Sequence, residues 1–484
     1  MTRVGQSGGR AGSCLLRMGS SLLVMFGLLA PGAAFARIWY VAPGGADSAP
    51  GTVDQPFASI QRGVDAAGPG DTVSIGPGLY AVSRAVRIAG RRASADQPLA
   101  IVGNGMPTIV GTDQRVPGVW HGMVEITDSS HVRVQGLALE SSFFFGLMVE
   151  RSDHVELLGN RSTISLGSGI WVADSSAVRV EGNDVSRFCD RNQFGADGRT
   201  GCQEGISIAN VDGFSIVGNL VHDAPQGADV GPGGGEGIDV KGGSRNGLVE
   251  GNSVWGLVQL GIYVDAYARG ASNVKVRANR VWRAYMGIVI SSEKGGTVSD
   301  IDVSDNLVHD VGYHGILISD FNKGQGGDGP RQRIRIYNNT IVNAGIKEAK
   351  PPYCTRWTNP CPDAGVGIKV DTANITGLEI YDNIILGAKT TPMQVNAAVQ
   401  RSARVVRNLV WPAPRPGPTN DYLGTGAIVA DPKLANPAAD DYRLQPGSPA
   451  IGAGAAGASP GRDIQGRQRP AGPVDLGAFS FGAN

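Results

Sequence analysis

From about residue 72 to 412 the chain is built of short runs in which apolar and polar residues alternate, each run closed by Gly, Asn or Asp. A spacing of two marks half-buried strands, and helical spacing is almost absent. The pattern also repeats. Asn-x-Val or Asn-x-Ile recurs at Asn183, Asn219, Asn252, Asn279, Asn306, Asn339, Asn383 and Asn408, with successive gaps of 27 residues between Asn252, Asn279 and Asn306. A Gly-Ile series interleaves with it at Gly169, Gly205, Gly237, Gly261, Gly287, Gly315 and Gly367. A third alternating piece, such as "VKVRAN" or "IDVSDN", leads into the asparagines.

Strands this short, without hairpin partners, cannot bury themselves. Stacked as successive coils, they pair in parallel with the coils above and below, ~4.8 Å apart. Alternation then turns Ile238, Val240, Ile262 and Val264 inward and Asp239, Lys241, Tyr263 and Asp265 outward. The repeated asparagines suit an inward turn ladder whose amides hydrogen-bond from coil to coil. Their role is read as structural.

Composition narrows the function. Basic and acidic residues balance at 43 each, which leaves no electrostatic footprint for nucleic acid. The 72 glycines are about twice the ordinary share of ~7%. Residues 1–36 hold Arg3, Arg10 and Arg17, then the apolar run "SLLVMFGLLA" and the small-residue end "AFA". That is the layout of a cleaved secretory signal, with an apolar run too short to span a bilayer. The mature chain is expected to start near Arg37, to be secreted or periplasmic without membrane insertion, and to act as a monomer. Four cysteines then remain, Cys189 with Cys202 and Cys354 with Cys361, close enough in sequence for each pair to staple its own loop in an oxidising compartment.

The stacked repeat resembles the right-handed parallel β-helix of pectate lyases, alginate lyases and polygalacturonases, over roughly residues 72–412. The start, "WYVAPGGADSAPGTVDQPFASIQRGVDAAGPGDTVSIGPGLY" (39–80), is similar to that of many secreted β-helix proteins. Within it, "PFASIQRGVDAA" predicts an amphipathic helix closing the first coil, inside an N-terminal cap of residues 37–71. Residues 413–484, rich in Pro, Gly and Ala, resemble the irregular closing segment of the same proteins.

Candidate chemistry gathers on the outward side of the Gly-Ile strands. Two residues after the glycine the column reads Trp171, Ser207, Asp239, Tyr263, Val289, Leu317 and Lys369; four after, Ala173, Ala209, Lys241, Asp265, Ser291, Ser319 and Asp371. The residues before the glycines add Glu204, Glu236 and His314, and Glu293, Lys294 and Asp320 follow the strand ends. Long insertions precede Gly205, Gly237 and Gly367, and insertions at one edge of a solenoid commonly wall a groove. A solvated face of paired charges would leave a similar column, but three acids and a lysine within two coils at 236–265 exceed ordinary charge balance.

The stretch "EGIDVKGGSRN" is similar to the Glu-x-Ile-x-x-Lys-x-x-x-Asn pattern of family 6 polysaccharide lyases. The resemblance makes Glu236 a calcium ligand and Lys241 the base, with Asn246 one position beyond the pattern's asparagine, where this chain has Arg245. The family's serine after the lysine is Gly242 here, its second calcium glutamate falls at Gly234, and its arginine falls near Asp265. Family 9 pectate lyases pair a lysine with aspartate-bound calcium, yet their Asp-Asp-Gly is Gln259-Leu260-Gly261 here.

The reading is a calcium-dependent lyase on an acidic polysaccharide, with Lys241 and Asp265 catalytic and Glu236, Asp239 and Asp265 binding Ca²⁺. Substrate contacts are expected from Tyr263, Arg269, Glu293, Lys294 and His314, and Trp171, Tyr267 and Tyr285 offer rings for sugar stacking. A polygalacturonase-like hydrolase, a C5-epimerase and a non-catalytic glycan binder fit the same scaffold.

Overall fold

The computed structural model describes residues 36–112, 121–190, 203–224, 234–324, 326–346, 364–414, 421–454, 461–470 and 472–482. The chain winds as a parallel β-helix, each coil carrying strands on three faces. The first face holds the Gly-Ile strands: β1 (Ile170–Glu181), β2 (Ile206–Val217), β3 (Ile238–Lys241), β4 (Leu260–Asp265), β5 (Met286–Ser291), β6 (Ile316–Ile318) and β7 (Val366–Val370). The second face holds the strands leading to each asparagine, and the third the short strands after it. Strands β1 and β2 continue across the corner between the first two faces, so those faces join into one sheet of 23 described strands, while the third forms a sheet of 13.

The repeat fixes the register. Ile170, Ile206, Ile238, Ile262, Ile288, Ile316 and Ile368 pair in line from coil to coil. All seven are fully buried, with Val172, Ile208, Val240, Val264, Ile290, Ile318 and Val370 forming a second inward row. The glycine before each isoleucine has a steric cause. A Cβ on Gly237 would meet the Gly261 carbonyl oxygen and Val254 Cγ1 at 2.5 Å each; on Gly287 it would meet the Gly315 oxygen at 2.3 Å and Val308 Cγ1 at 2.4 Å. At this corner the third-face valine and the next coil's backbone occupy the space of a side chain.

The asparagine ladder forms as expected and gains Asn160 at its N-terminal end. Each amide oxygen accepts from the backbone N–H and the Nδ2 of the preceding asparagine, as Asn279 does from Asn252 at 3.0 and 2.9 Å. The Nδ2 of Asn279 also donates to the Val249 carbonyl at 2.9 Å. The ladder thus pairs the backbone and side-chain amide hydrogens of a buried corner, each of which would cost about 1–3 kcal/mol if left unpaired.

Helix α1 (Ile60–Ala66) closes the first coil, as predicted. Ser59 caps it by accepting from the Arg62 N–H, and Ile60, Gly63 and Val64 turn into the core. On the second face, outward charges pair between coils: Arg133 with Glu156 at 2.6 Å, Arg335 with Asp302 at 2.6 Å, Arg404 with Glu379 at 2.9 Å. Here the solvated-charge explanation suffices, and exposed pairs of this kind add ~0–1 kcal/mol each. The C-terminal segment does more than close the last coil. It folds back along the third face, packing Leu434, Tyr442, Leu444, Leu476 and Phe479 on Leu307, Val342, Ile384 and Leu409. Cys189 is buried at the edge of the described residues; Cys202, Cys354 and Cys361, with the signal segment 1–35, lie outside them. Among the described residues no helix is long and apolar enough to cross a membrane.

Candidate functional site

Register brings the outward residues of β2, β3 and β4 into contact. Ser207 pairs in line with Asp239 and Asp239 with Tyr263. Ala209 pairs with Lys241, and Asp265 follows the Val240–Val264 pair one coil on. Outward does not mean exposed here: Asp239 is 2% accessible, Asp265 3%, Glu204 3% and Glu236 9%.

The Lys241 ammonium sits between carboxylates. Its Nζ makes a very short contact to Glu204 Oε1 and lies 3.5 Å from Asp239 Oδ2. The second Glu204 oxygen accepts the Ser207 hydroxyl. Burial opposes the lysine charge, but Glu204, Asp239 and Glu236 outweigh it and hold the ammonium well above its ordinary value. The acids feel the reverse. Burial and then Glu204 push Glu236 up to about 8. Burial pushes Asp239 far up against the pull of Lys241. Asp265 rises to about 6 through burial and Glu293. Two buried oxygens, Glu236 Oε2 and Asp239 Oδ1, have no hydrogen-bond partner.

The other expected residues divide. Tyr263 is buried and donates to Glu293 Oε1 at 2.7 Å, and the Glu293 N–H donates to Asp265 Oδ1 at 3.1 Å, so these three join the cluster's downstream edge. Lys294 is exposed beyond them, its Nζ 6.0 Å from the Tyr267 ring. Tyr267 is 47% exposed and Tyr285 half-buried, while Trp171 is packed among Phe144, Phe145 and Met148. Arg269 is not brought to the cluster: it lies round the corner, 3.8 Å from Asp174 on an earlier coil. His314 is not on the surface either. It is 2% accessible, its Nδ1 accepts the Val366 N–H at 3.3 Å, and burial with nearby Lys369 keeps the ring neutral. A substrate contact from His314 is therefore withdrawn.

Glu204 is the residue whose role the sequence hid. It stands before Gly205 as Glu236 stands before Gly237, which marked it as charged but not as the main partner of a lysine one coil away.

The donor set suits a hard cation. Four carboxylates converge with one lysine, and two of their oxygens lack partners. No three of these carboxylates bring oxygens within 4.8 Å of one another among the described residues, so holding Ca²⁺ requires Glu236, Asp239 and Asp265 to draw together as Lys241 gives way.

Residues 99–269 and 167–410 match the family described as right handed beta helix region. Uncharacterized protein YwoF of Bacillus subtilis (strain 168) is 24% identical over 331 residues, 60% of this chain and 65% of that protein. Pectate lyase PEL9 of Emericella nidulans is 29% identical over 206 residues, 40% of this chain and 50% of the lyase. The chain thus spans between half and two thirds of these relatives' lengths. The crystal structure of pectate lyase Pel9A superposes with a TM-score of 0.53 at 14% identity, covering 93% of this chain and 97% of that one, which is a likeness of fold. With the stacked register, the glycine corner and the asparagine ladder in place, the chain belongs to the right-handed β-helix family.

Proposed function

We propose that this is an exported, polysaccharide-active enzyme, and that it cleaves a uronic-acid-containing polymer by β-elimination. The observation that carries the reading is Lys241 among Glu204, Glu236, Asp239 and Asp265, with partnerless oxygens on Glu236 and Asp239. The pectate lyase likeness of the Emericella relative agrees with it.

Elimination removes the proton from the carbon beside the uronate carboxylate, forms a double bond to the next carbon and expels the glycosidic oxygen from it. Lys241 is the proton acceptor. Ca²⁺ held by Glu236, Asp239 and Asp265 would neutralise the substrate carboxylate and so acidify that proton. Glu204 holds the amine in place through its contact with Nζ and, by its bond to Ser207, is itself held. As the structure stands the amine is a charged partner of acids; it becomes a base when their charge is engaged elsewhere. Tyr267 offers a ring and Lys294 a cation where the polymer would leave the cluster.

A second reading has its own support. Glu236, pushed up to about 8 by burial and then Glu204, holds its proton at neutral pH, the state a glycoside hydrolase uses for its acid. Incubation with alginate, pectate and glycosaminoglycans, with and without chelator, tests both. Chelator-sensitive ultraviolet absorbance from unsaturated ends supports elimination. Reducing ends without that absorbance replace it with hydrolysis, and retention without turnover replaces both with binding.

A further inference from the structure

A separate cluster of ligand-type side chains lies on the second face, off the face that carries Lys241. Ser130 and Asp153 pair between adjacent coils, and His131 and His154 are the residues that follow them. Both histidines adopt left-handed backbone, φ 54° and 52°. Their rings are parallel within 5°, with centroids 4.4 Å apart. Asp153 Oδ2 lies 2.8 Å from His154 Nδ1. His131 Nδ1 is enclosed and has no hydrogen-bond partner. One ligand atom from each of the three lies within 4.8 Å of the other two.

Further along the same column stand Ala177, Gly213, Asn246, Asn273, Asp300 and Arg333, all in the same left-handed conformation. Among the described residues of this column, two imidazoles stand in succession only at His131 and His154. Ring stacking accounts for their faces. It does not account for the convergence of two imidazoles and a carboxylate, one nitrogen of which is left without a partner.

We propose that His131, Asp153 and His154 bind a divalent transition-metal ion of the Zn²⁺, Ni²⁺ or Cu²⁺ class. Two imidazoles and one carboxylate select such borderline ions over Ca²⁺ or Mg²⁺, which prefer all-oxygen shells. The nearby Arg151 does not oppose a cation, because its guanidinium is paired with Asp128 at 2.9 Å and Glu150 at 2.9 Å. Parallel rings cannot both aim a lone pair at one ion, so binding turns a ring out of the stack. His154, whose side chain is 57% exposed, has the room. The bound ion staples two neighbouring coils, with solvent completing its shell.

The test is calorimetric titration of the untagged full chain with Ni²⁺ or Zn²⁺ in Ca²⁺-containing buffer, so that the acid cluster is not the reporter. One saturable site is expected, with a rise in Tm on saturation. His131→Asn and His154→Asn use a side chain the column already carries at Asn246 and Asn273, and each should weaken the site by about tenfold or more. Should a variant not fold, Ni²⁺ should shield His154 of the unaltered chain from carbethoxylation, read by mass spectrometry. Absence of a saturable site, affinity in either folded variant equal to that of the unaltered chain, or unchanged His154 reactivity overturns the proposal. Lys241→Arg should leave this affinity unchanged, which separates its failure from failure of the lyase reading.

Discussion

Lys241 is the single ammonium among several buried carboxyl groups, and substitutions there separate chemistry from stability. Lys241→Arg keeps the charge against Glu204 and Asp239 but gives a group that does not lose its proton. It should fold normally, bind polymer and lose roughly 10²-fold or more in elimination rate, the usual contribution of a positioned base. Lys241→Ala leaves buried carboxylates unopposed and should cost about 3–5 kcal/mol as well, read by denaturant unfolding. Glu236 makes a pH prediction. Its folded value of about 8 lies above the ordinary unfolded carboxylate value of ~4.3, so the folded chain holds a proton that the unfolded chain releases. Stability from this group is fullest at acid pH and falls as pH rises through that window. In chelator, Glu236→Gln should therefore raise Tm relative to the unaltered chain, and more at pH 8 than at pH 5. An equal gain at both pH values would mean that Glu236 does not titrate between them.

At the scale of the coil, the strongest constraints are the two that repeat. The Gly-Ile strands stay in register because each glycine stands where a Cβ would strike the next coil, and each isoleucine fills the row behind it. The asparagines satisfy the opposite corner. Asn279→Ala removes the acceptor for both the Asn252 N–H and its Nδ2, and the donor to Val249. The loss should be about 2–5 kcal/mol, since buried groups are left unpaired rather than merely unbonded. Hydrogen exchange at Asn252 should rise with it, while distant coils stay protected if opening is local. Both ladders were legible in the sequence because every coil restates them. The metal-type trio on the second face was not, because His131 and His154 occur once each and only stacking brings them together.

Over the whole molecule, the C-terminal segment is a cover for the third face as much as an end to the solenoid. Its Arg469 reaches back 164 positions to Asp305, with both groups almost inaccessible. Burial pushes Asp305 up to about 7 against the pull of Arg469. Arg469→Ala should cost about 3–5 kcal/mol by stranding that carboxylate, whereas the exposed pair Arg404–Glu379 should contribute ~1 kcal/mol or less. Salt should weaken the second effect and leave the first nearly unchanged. Thermal unfolding of Arg469→Ala and Arg404→Ala at two ionic strengths decides this. An equal loss in both variants would mean that the tail is not a stabilising cover.

What the sequence determined by itself was everything written once per coil (the parallel stacking, the direction each side chain leaves its strand and the asparagine corner) and the helical cap, written once as a local amphipathic run. Alternation and repetition are local signals, and a solenoid turns local signals directly into architecture because each coil contacts only its neighbours. Tertiary structure decided what depends on a side chain's reach between coils or on what lies above it. It joined Glu204 to Lys241, took His314 out of solvent, turned Arg269 toward Asp174, and laid the tail along the third face with contacts as far as 164 positions back in sequence. Those outcomes rest on rotamers, burial and non-local contact, none of which leaves a period along the chain.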